Sequence, residues 1–196
     1  MSASDAALRH EISPTHSQSL NDRLSATRRL SSELARPLSD EDQVVQANDD
    51  ASPTKWHLAH TTWFWETFLL RDRLPGYALY DERWPFLFNS YYEAEGERIL
   101  RKRRGMLSRP ALAEVIGWRR HVDEAMAPLL GDPANHDLVQ LGIAHEQQHQ
   151  ELLLTDIKHA LFRNPLGPAM WGLRDARTTE GSKQKAESPS RRTGAA

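Results

Sequence analysis

His145 and His149 stand four residues apart in the segment His145-Glu146-Gln147-Gln148-His149. On a helix this spacing puts both imidazoles on one face, about 6 Å apart along the axis, where they can close on one metal ion. A third imidazole, His60, falls in a stripe with Trp56, Trp63, Thr67 and Leu70 at helical spacing, whereas His57 is rotated well away from it. Leu138, Leu141, His145, His149 and Leu152 make the matching stripe on a second helix. Any one of these histidines could equally be a hydrogen-bonded core residue. Three buried together would each need a partner, and one divalent ion would serve all three. His60, His145 and His149 are therefore the candidate ligands. The chain has no cysteine, so disulfides, thiolate ligands and a cysteine nucleophile are excluded.

The same five letters spell the H-E-x-x-H signature of zinc proteases. The extended form of that motif is absent, because Leu152 and Leu153 occupy the glycine region and no histidine follows at the required distance. Glu180 and Glu187 lie in a polar stretch, and no segment reads as a strand that could align a peptide. The protease reading is set aside.

The elements that must position the histidines are helices punctuated by proline and glycine. A first helix is predicted over residues 18–35, with Leu20, Leu24, Leu30 and Leu34 as its apolar positions, ending before Pro37. Ser39-Asp40-Glu41-Asp42 opens a short helical stretch. Ser52 is the expected cap of a second helix over residues 54–72, with Pro53 in its first turn. The aromatic stretch 77–92, broken by Pro85, reads as a long ordered loop with short helical turns. Residues 111–130 make a third helix closed by Gly131-Asp132-Pro133, and residues 134–162 a fourth that carries the histidine pair. Four helices of this length with short or moderate connections argue for an all-α four-helix bundle, whose core is a common place for metal sites. The expected domain spans residues 18–168, after a flexible N-terminus (1–17). A polar tail (169–196), poor in apolar anchors from Gly172 onward, should be disordered.

A net charge of −2 offers no electrostatic case for nucleic acid or a membrane surface. The N-terminus lacks the apolar run of a signal peptide, and no stretch approaches a membrane span; a soluble, cytoplasmic protein is the expectation. Among the remaining groups, Glu146, Gln147, Gln148 and Gln150 are candidates to orient the imidazoles, with a solvated helix face as the plainer reading for Gln147 and Gln150. His159 reads as structural. Arg101-Lys102-Arg103-Arg104 could bind carboxylates, but Glu93, Glu95 and Glu97 dilute its field and favour a solvated basic loop. Trp63, Trp65 and Trp84 could wall a quaternary-ammonium pocket, although core packing suits the first two better.

The segments Ser52-Pro53-Thr54-Lys55-Trp56-His57-Leu58-Ala59-His60-Thr61-Thr62-Trp63 and His145-Glu146-Gln147-Gln148-His149-Gln150-Glu151 resemble the DinB-like N-terminal domain of the sulfoxide synthases of ergothioneine biosynthesis. So do Phe88-Asn89-Ser90-Tyr91-Tyr92-Glu93 and Arg104-Gly105-Met106-Leu107-Ser108-Arg109-Pro110, within a similarity covering about residues 18–168. The resemblance implies a DinB-like bundle holding a non-haem Fe(II) on His60, His145 and His149. It also implies O₂-dependent joining of a cysteine-type low-molecular-weight thiol to trimethylhistidine. Three imidazoles with an open position also suit Zn²⁺ or another divalent ion. Family members continue into a second domain of the formylglycine-generating-enzyme type, which supplies a catalytic tyrosine. Here the similarity fades after Pro165-Leu166-Gly167-Pro168, so the expectation is a truncated enzyme, or one whose missing domain comes from a separate chain. The alternatives are a stand-alone DinB-like metal-dependent thiol S-transferase and a non-catalytic remnant bundle.

Overall fold

Ser19 opens the first long helix, α1 (Leu20–Ala35), by accepting a hydrogen bond from the backbone N–H of Asp22 at 3.1 Å. In the computed structural model, which describes residues 19–171, α1 is followed by α2 (Thr54–Trp65), the short α3 (Trp84–Phe88), α4 (Leu112–Met126) and α5 (His136–Arg163). The predicted flexible N-terminus and the tail from Gly172 onward lie outside the described residues. No strand occurs among the described residues, and no helix there is long and apolar enough to cross a membrane.

The four predicted helices are α1, α2, α4 and α5, and they form a bundle. α2 runs through its centre, packed by α1, α4 and α5, and every residue from Thr54 to Trp65 is buried. An all-round apolar helix is a buried one, and Trp56, Leu58, Ala59, Trp63, Phe64 and Trp65 supply that surface. The helix continues through a wider π-helical turn, Glu66–Arg71, close to the predicted end. α4 starts where the Glu114 carboxylate accepts from the Ala111 N–H at 2.7 Å. Its tryptophan, Trp118, packs against Trp84 and Phe88 of α3. The aromatic loop thus contains a helix that closes one side of α2: the Leu87 carbonyl accepts from Trp56 Nε1 and the Phe88 carbonyl faces His60 Nδ1.

Several local expectations change. Pro53, not Ser52, takes the N-cap position of α2, and Ser52 Oγ instead accepts from Arg104. Leu30, Leu141 and Leu152 are exposed, at 43%, 59% and 41%. The buried face of α5 is instead Val139, Gly142, Ile143, Glu146, Gln150, Leu153 and Ile157, about one residue around the helix from the predicted stripe. α1 likewise buries Thr27, Arg28 and Ser31 beside Leu24. Polar groups share the core because they are paired there. Glu146, fully buried on α5, accepts from Arg28 and Ser31 of α1, Trp65 Nε1 of α2 and Arg119 of α4. One carboxylate therefore ties all four long helices together. Trp63, Trp65 and Trp84 are all buried in the core, so none forms an ammonium pocket. Met170 is also buried, just past the predicted domain boundary.

Candidate metal centre

The turn of the central helix and the rotation of α5 place His145 and His149 at the edge of the buried face, opposite His60. The structure brings the three predicted residues together: one donor nitrogen from each of His60, His145 and His149 lies within 4.8 Å of the others. The Nε2 atoms of His60 and His145 are 3.2 Å apart. With metal–nitrogen bonds of about 2.1 Å, two imidazole ligands stand about 3.0 Å apart at a right angle and about 3.4 Å apart at a tetrahedral one. The pair is spaced for a common ion.

Aromatic rings fix these imidazoles. Trp56, one turn before His60, and Trp63, one turn after it, both stack on its ring, with centroids 4.7 and 5.4 Å away and planes within 16°. Phe64 packs on His145 at 4.6 Å. His60 Nδ1 faces only the Phe88 carbonyl, at 2.6 Å. A carbonyl accepts, so Nδ1 carries the proton and Nε2 presents a lone pair to the cluster. Burial, and then the neighbouring His145, push the His60 pKa well below its usual value. Burial lowers His145 to about 4 against the opposing pull of Glu146. Burial also lowers His149, with His60 and His57 adding to it. His145 Nδ1 is buried without a hydrogen-bond partner. Three neutral imidazoles, held rigid and converging, are the donor set a divalent ion takes. The residues fit such an ion.

The cluster lies in a cleft of about 450 Å³, also lined by Asp50, Ser90, Tyr91, Tyr92, Arg101, Arg104 and Gln148. The basic run therefore divides: Lys102 and Arg103 are exposed, as a solvated loop would be, but Arg104 is buried. Its guanidinium lies 3.4 Å from the centre of the Trp56 ring, making a stack of Arg104, Trp56 and His60. Its two terminal nitrogens donate to Ser52 Oγ (2.9 Å) and Ser90 Oγ (3.0 Å). Among the described residues no carboxylate forms a salt bridge with it; burial followed by the nearby Arg101 charge lowers its pKa to about 9, with Asp156 opposing the shift. Arg101 donates to Tyr91 Oη and to the Asp50 carbonyl.

Other candidates stand elsewhere. Both carboxylate oxygens of Glu146 are taken by α1, α2 and α4, and burial, which raises its pKa, is outweighed by Arg119 and Arg28, which hold it well below the usual range. A carboxylate so committed is no general base, which removes the protease role for this glutamate. It is also not an imidazole-orienting group. Gln150, expected on a solvated face, is buried and donates to the Thr27 carbonyl and Ser31 Oγ. Gln147 is exposed, as expected. His159 faces Asn48 at the surface.

Sequence reasoning missed two residues at the cluster, His57 and Asp156. His57 is no member of the three-imidazole set, yet its Nδ1 lies 2.9 Å from His149 Nδ1 and its Nε2 lies 3.0 Å from Asp156 Oδ2. Asp156 follows His149 by seven residues, two helical turns, a spacing that could have flagged it.

The DinB superfamily matches the chain over residues 23–153, a span that includes all four long helices in whole or part. The chain belongs to the DinB superfamily, whose domains bind divalent metal ions. No curated protein matches it.

Proposed function

We propose that this chain is the iron-binding DinB domain of a sulfoxide synthase of the ergothioneine-biosynthesis type, with His60, His145 and His149 as ligands. The observation that carries the reading is a buried arginine without a salt bridge among the described residues, Arg104, in the same cleft as three converging neutral imidazoles. Such a cleft suits a small thiol that also bears a carboxylate, because the planar guanidinium recognises carboxylates. The bound metal supplies the redox chemistry with O₂. In the overall reaction a thiol and the C–H of trimethylhistidine lose one hydrogen each, sulfur gains one oxygen atom, and the second oxygen leaves as water.

The chain's own residues have defined tasks in this reading. Trp56 and Trp63 clamp the ring of His60, and the Phe88 carbonyl holds its proton on Nδ1. Arg104, braced by Ser52 and Ser90, binds the thiol's carboxylate, with Arg101 beside it on the cleft wall. Tyr91 and Gln148 line the mouth, where a further domain or a separate chain completes the pocket for trimethylhistidine. A stand-alone thiol S-transferase would use the same imidazoles without consuming O₂.

The test is anaerobic Fe(II) titration of the full chain, beside His60→Ala, His145→Ala and His149→Ala, followed by O₂ uptake with cysteine or γ-glutamylcysteine and trimethylhistidine, with and without a second-domain protein. Stoichiometric Fe(II) binding lost in each variant, with thiol-dependent O₂ uptake, is the expected result. Binding of Zn²⁺ and thiol with no O₂ uptake in either arrangement would select the transferase. No metal binding by the unaltered chain would leave a remnant bundle.

A further inference from the structure

His149 reaches the cluster with its outer nitrogen already engaged. Its Nδ1 is 2.9 Å from Nδ1 of His57, whose Nε2 is 3.0 Å from Asp156 Oδ2. The same carboxylate oxygen accepts from the Ser52 backbone N–H at 2.8 Å, and Ser52 Oγ accepts from Arg104 at 2.9 Å. His57 is 3% exposed, so water does not replace these partners.

The protons along this chain have only one arrangement compatible with a metal ligand. As a carboxylate Asp156 accepts only, so His57 Nε2 donates to it. A neutral His57 then accepts at Nδ1, and His149 Nδ1 donates. His149 is left with its lone pair on Nε2. A doubly protonated His57 would reverse the last link, put the His149 proton on Nε2 and close that atom to any ion.

We infer that Asp156 and His57 act as a positioning pair that sets the tautomer and ring orientation of His149 and couples it, through Ser52, to Arg104. The inference rests on the metal reading of the three imidazoles. Its physical basis is general: a ligating histidine needs a fixed acceptor on its far nitrogen, and loss of that acceptor costs about 10–100-fold in metal affinity. An imidazole backed by a carboxylate is an unusual acceptor for the purpose, and it is what allows Asp156, two turns along α5, to bias His149 without touching it. Arg104 and His149 are then braced on one frame, so that the carboxylate-binding group and the ligand keep a constant separation.

Co(II) serves as the probe, because its visible absorption reports ligand geometry as well as affinity. The full chain is compared with His57→Phe, His57→Asn, Asp156→Asn, His145→Ala and Val122→Ala, and the melting of every metal-free variant is recorded. His57→Phe keeps a ring of similar size but removes the acceptor; Co(II) affinity should fall about 10–100-fold and the absorption bands should move. His57→Asn places a carbonyl oxygen near the old Nδ1 and should recover most of the affinity. Asp156→Asn should fall between the two. Val122→Ala, in the core face of α4 and outside the lining of the cleft, should melt earlier and bind Co(II) normally. Unaltered affinity and spectrum in His57→Phe, or equal losses in His57→Phe and His57→Asn, would overturn the pairing. Should His57→Phe not fold, His57→Asn and Asp156→Asn decide: wild-type affinity and bands in Asp156→Asn would sink the inference. If the unaltered chain binds no Co(II), the metal reading itself fails; if it binds and only His145→Ala loses the ion, the metal reading stands and the positioning role falls.

Discussion

Buried Arg104 donates to two serine hydroxyls and stacks on a tryptophan face, and among the described residues it forms no salt bridge; the nearest carboxylate to act on it, Asp156, does so across Ser52. Such a buried cation costs folding energy, and here it faces a cleft. Replacing it should therefore weaken ligand binding more than folding. With Arg104→Ala, metal binding should persist while the dissociation constant of cysteine for the metal-loaded chain rises about tenfold or more, the worth of a hydrogen bond to a charged group. Arg104→Lys should rescue only part of this, since lysine keeps the charge but loses the planar stack on Trp56. Calorimetric titration of cysteine into the three proteins checks it; equal affinities would remove Arg104 from the site. The sequence pointed to His145 and His149 through their spacing, because i and i+4 neighbours meet on any helix, and to His60 through its place in an apolar stripe. Arg104 and His57 were less legible. One sits in a run of exposed basic residues, and the other's value depends on a partner 92 positions away.

α5 shows how an element can be found and yet turned the wrong way. Proline and glycine marks located all four long helices to within a few residues, since those residues stop helices for local reasons. The core face of α5 followed no such local rule. Leu141 and Leu152 were assigned to it, but the interior takes Glu146 and Gln150 instead, and hydrophobic periodicity cannot see a buried polar group whose partners lie on three other helices. Glu146→Gln removes the negative charge between Arg28 and Arg119; leaving a buried pair broken typically costs about 3–5 kcal/mol, visible as a lower urea midpoint, and a midpoint unchanged would mean the two arginines are solvated. Gly142→Ala tests the approach of α5 to α2. A Cβ at Gly142 would lie 2.6 Å from Cζ2 and Cζ3 of Trp65, whose Nε1 is tethered to Glu146 at 3.0 Å. Overpacking of about 1–3 kcal/mol should exceed the gain of about 1 kcal/mol in helix propensity. Melting above that of the unaltered chain would show that the Trp65 ring can retreat.

At the scale of the molecule, the buried ionisable groups of the centre and the core act in one direction. His57, His60, His145 and His149 are all lowered from 6.5 in the metal-free fold, His145 to about 4, chiefly by burial. Glu146 is held below 4.5 because Arg119 and Arg28 outweigh its burial. Between pH 6.5 and about 4 the unfolded chain takes up protons on these histidines that the folded chain refuses. Stability is therefore fully present above 6.5 and declines as the pH falls, at up to about 1.4 kcal/mol per pH unit for each such group. Below 4.5 Glu146 adds to the decline in the same sense, because the unfolded chain's carboxyl takes up a proton that the folded one refuses. Urea midpoints at pH 7, 6 and 5 should fall steadily for the metal-free chain, and His145→Gln should flatten the slope because one titrating group is gone. A divalent ion binds the neutral imidazoles of the folded state and not the unfolded chain, so it should raise the midpoint most at pH 7 and progressively less as protons compete. A midpoint constant from pH 7 to 5, with or without metal, would mean that the imidazoles are hydrated and charged as freely as in the unfolded chain, and the centre would then lack the neutral, desolvated donors on which its chemistry depends.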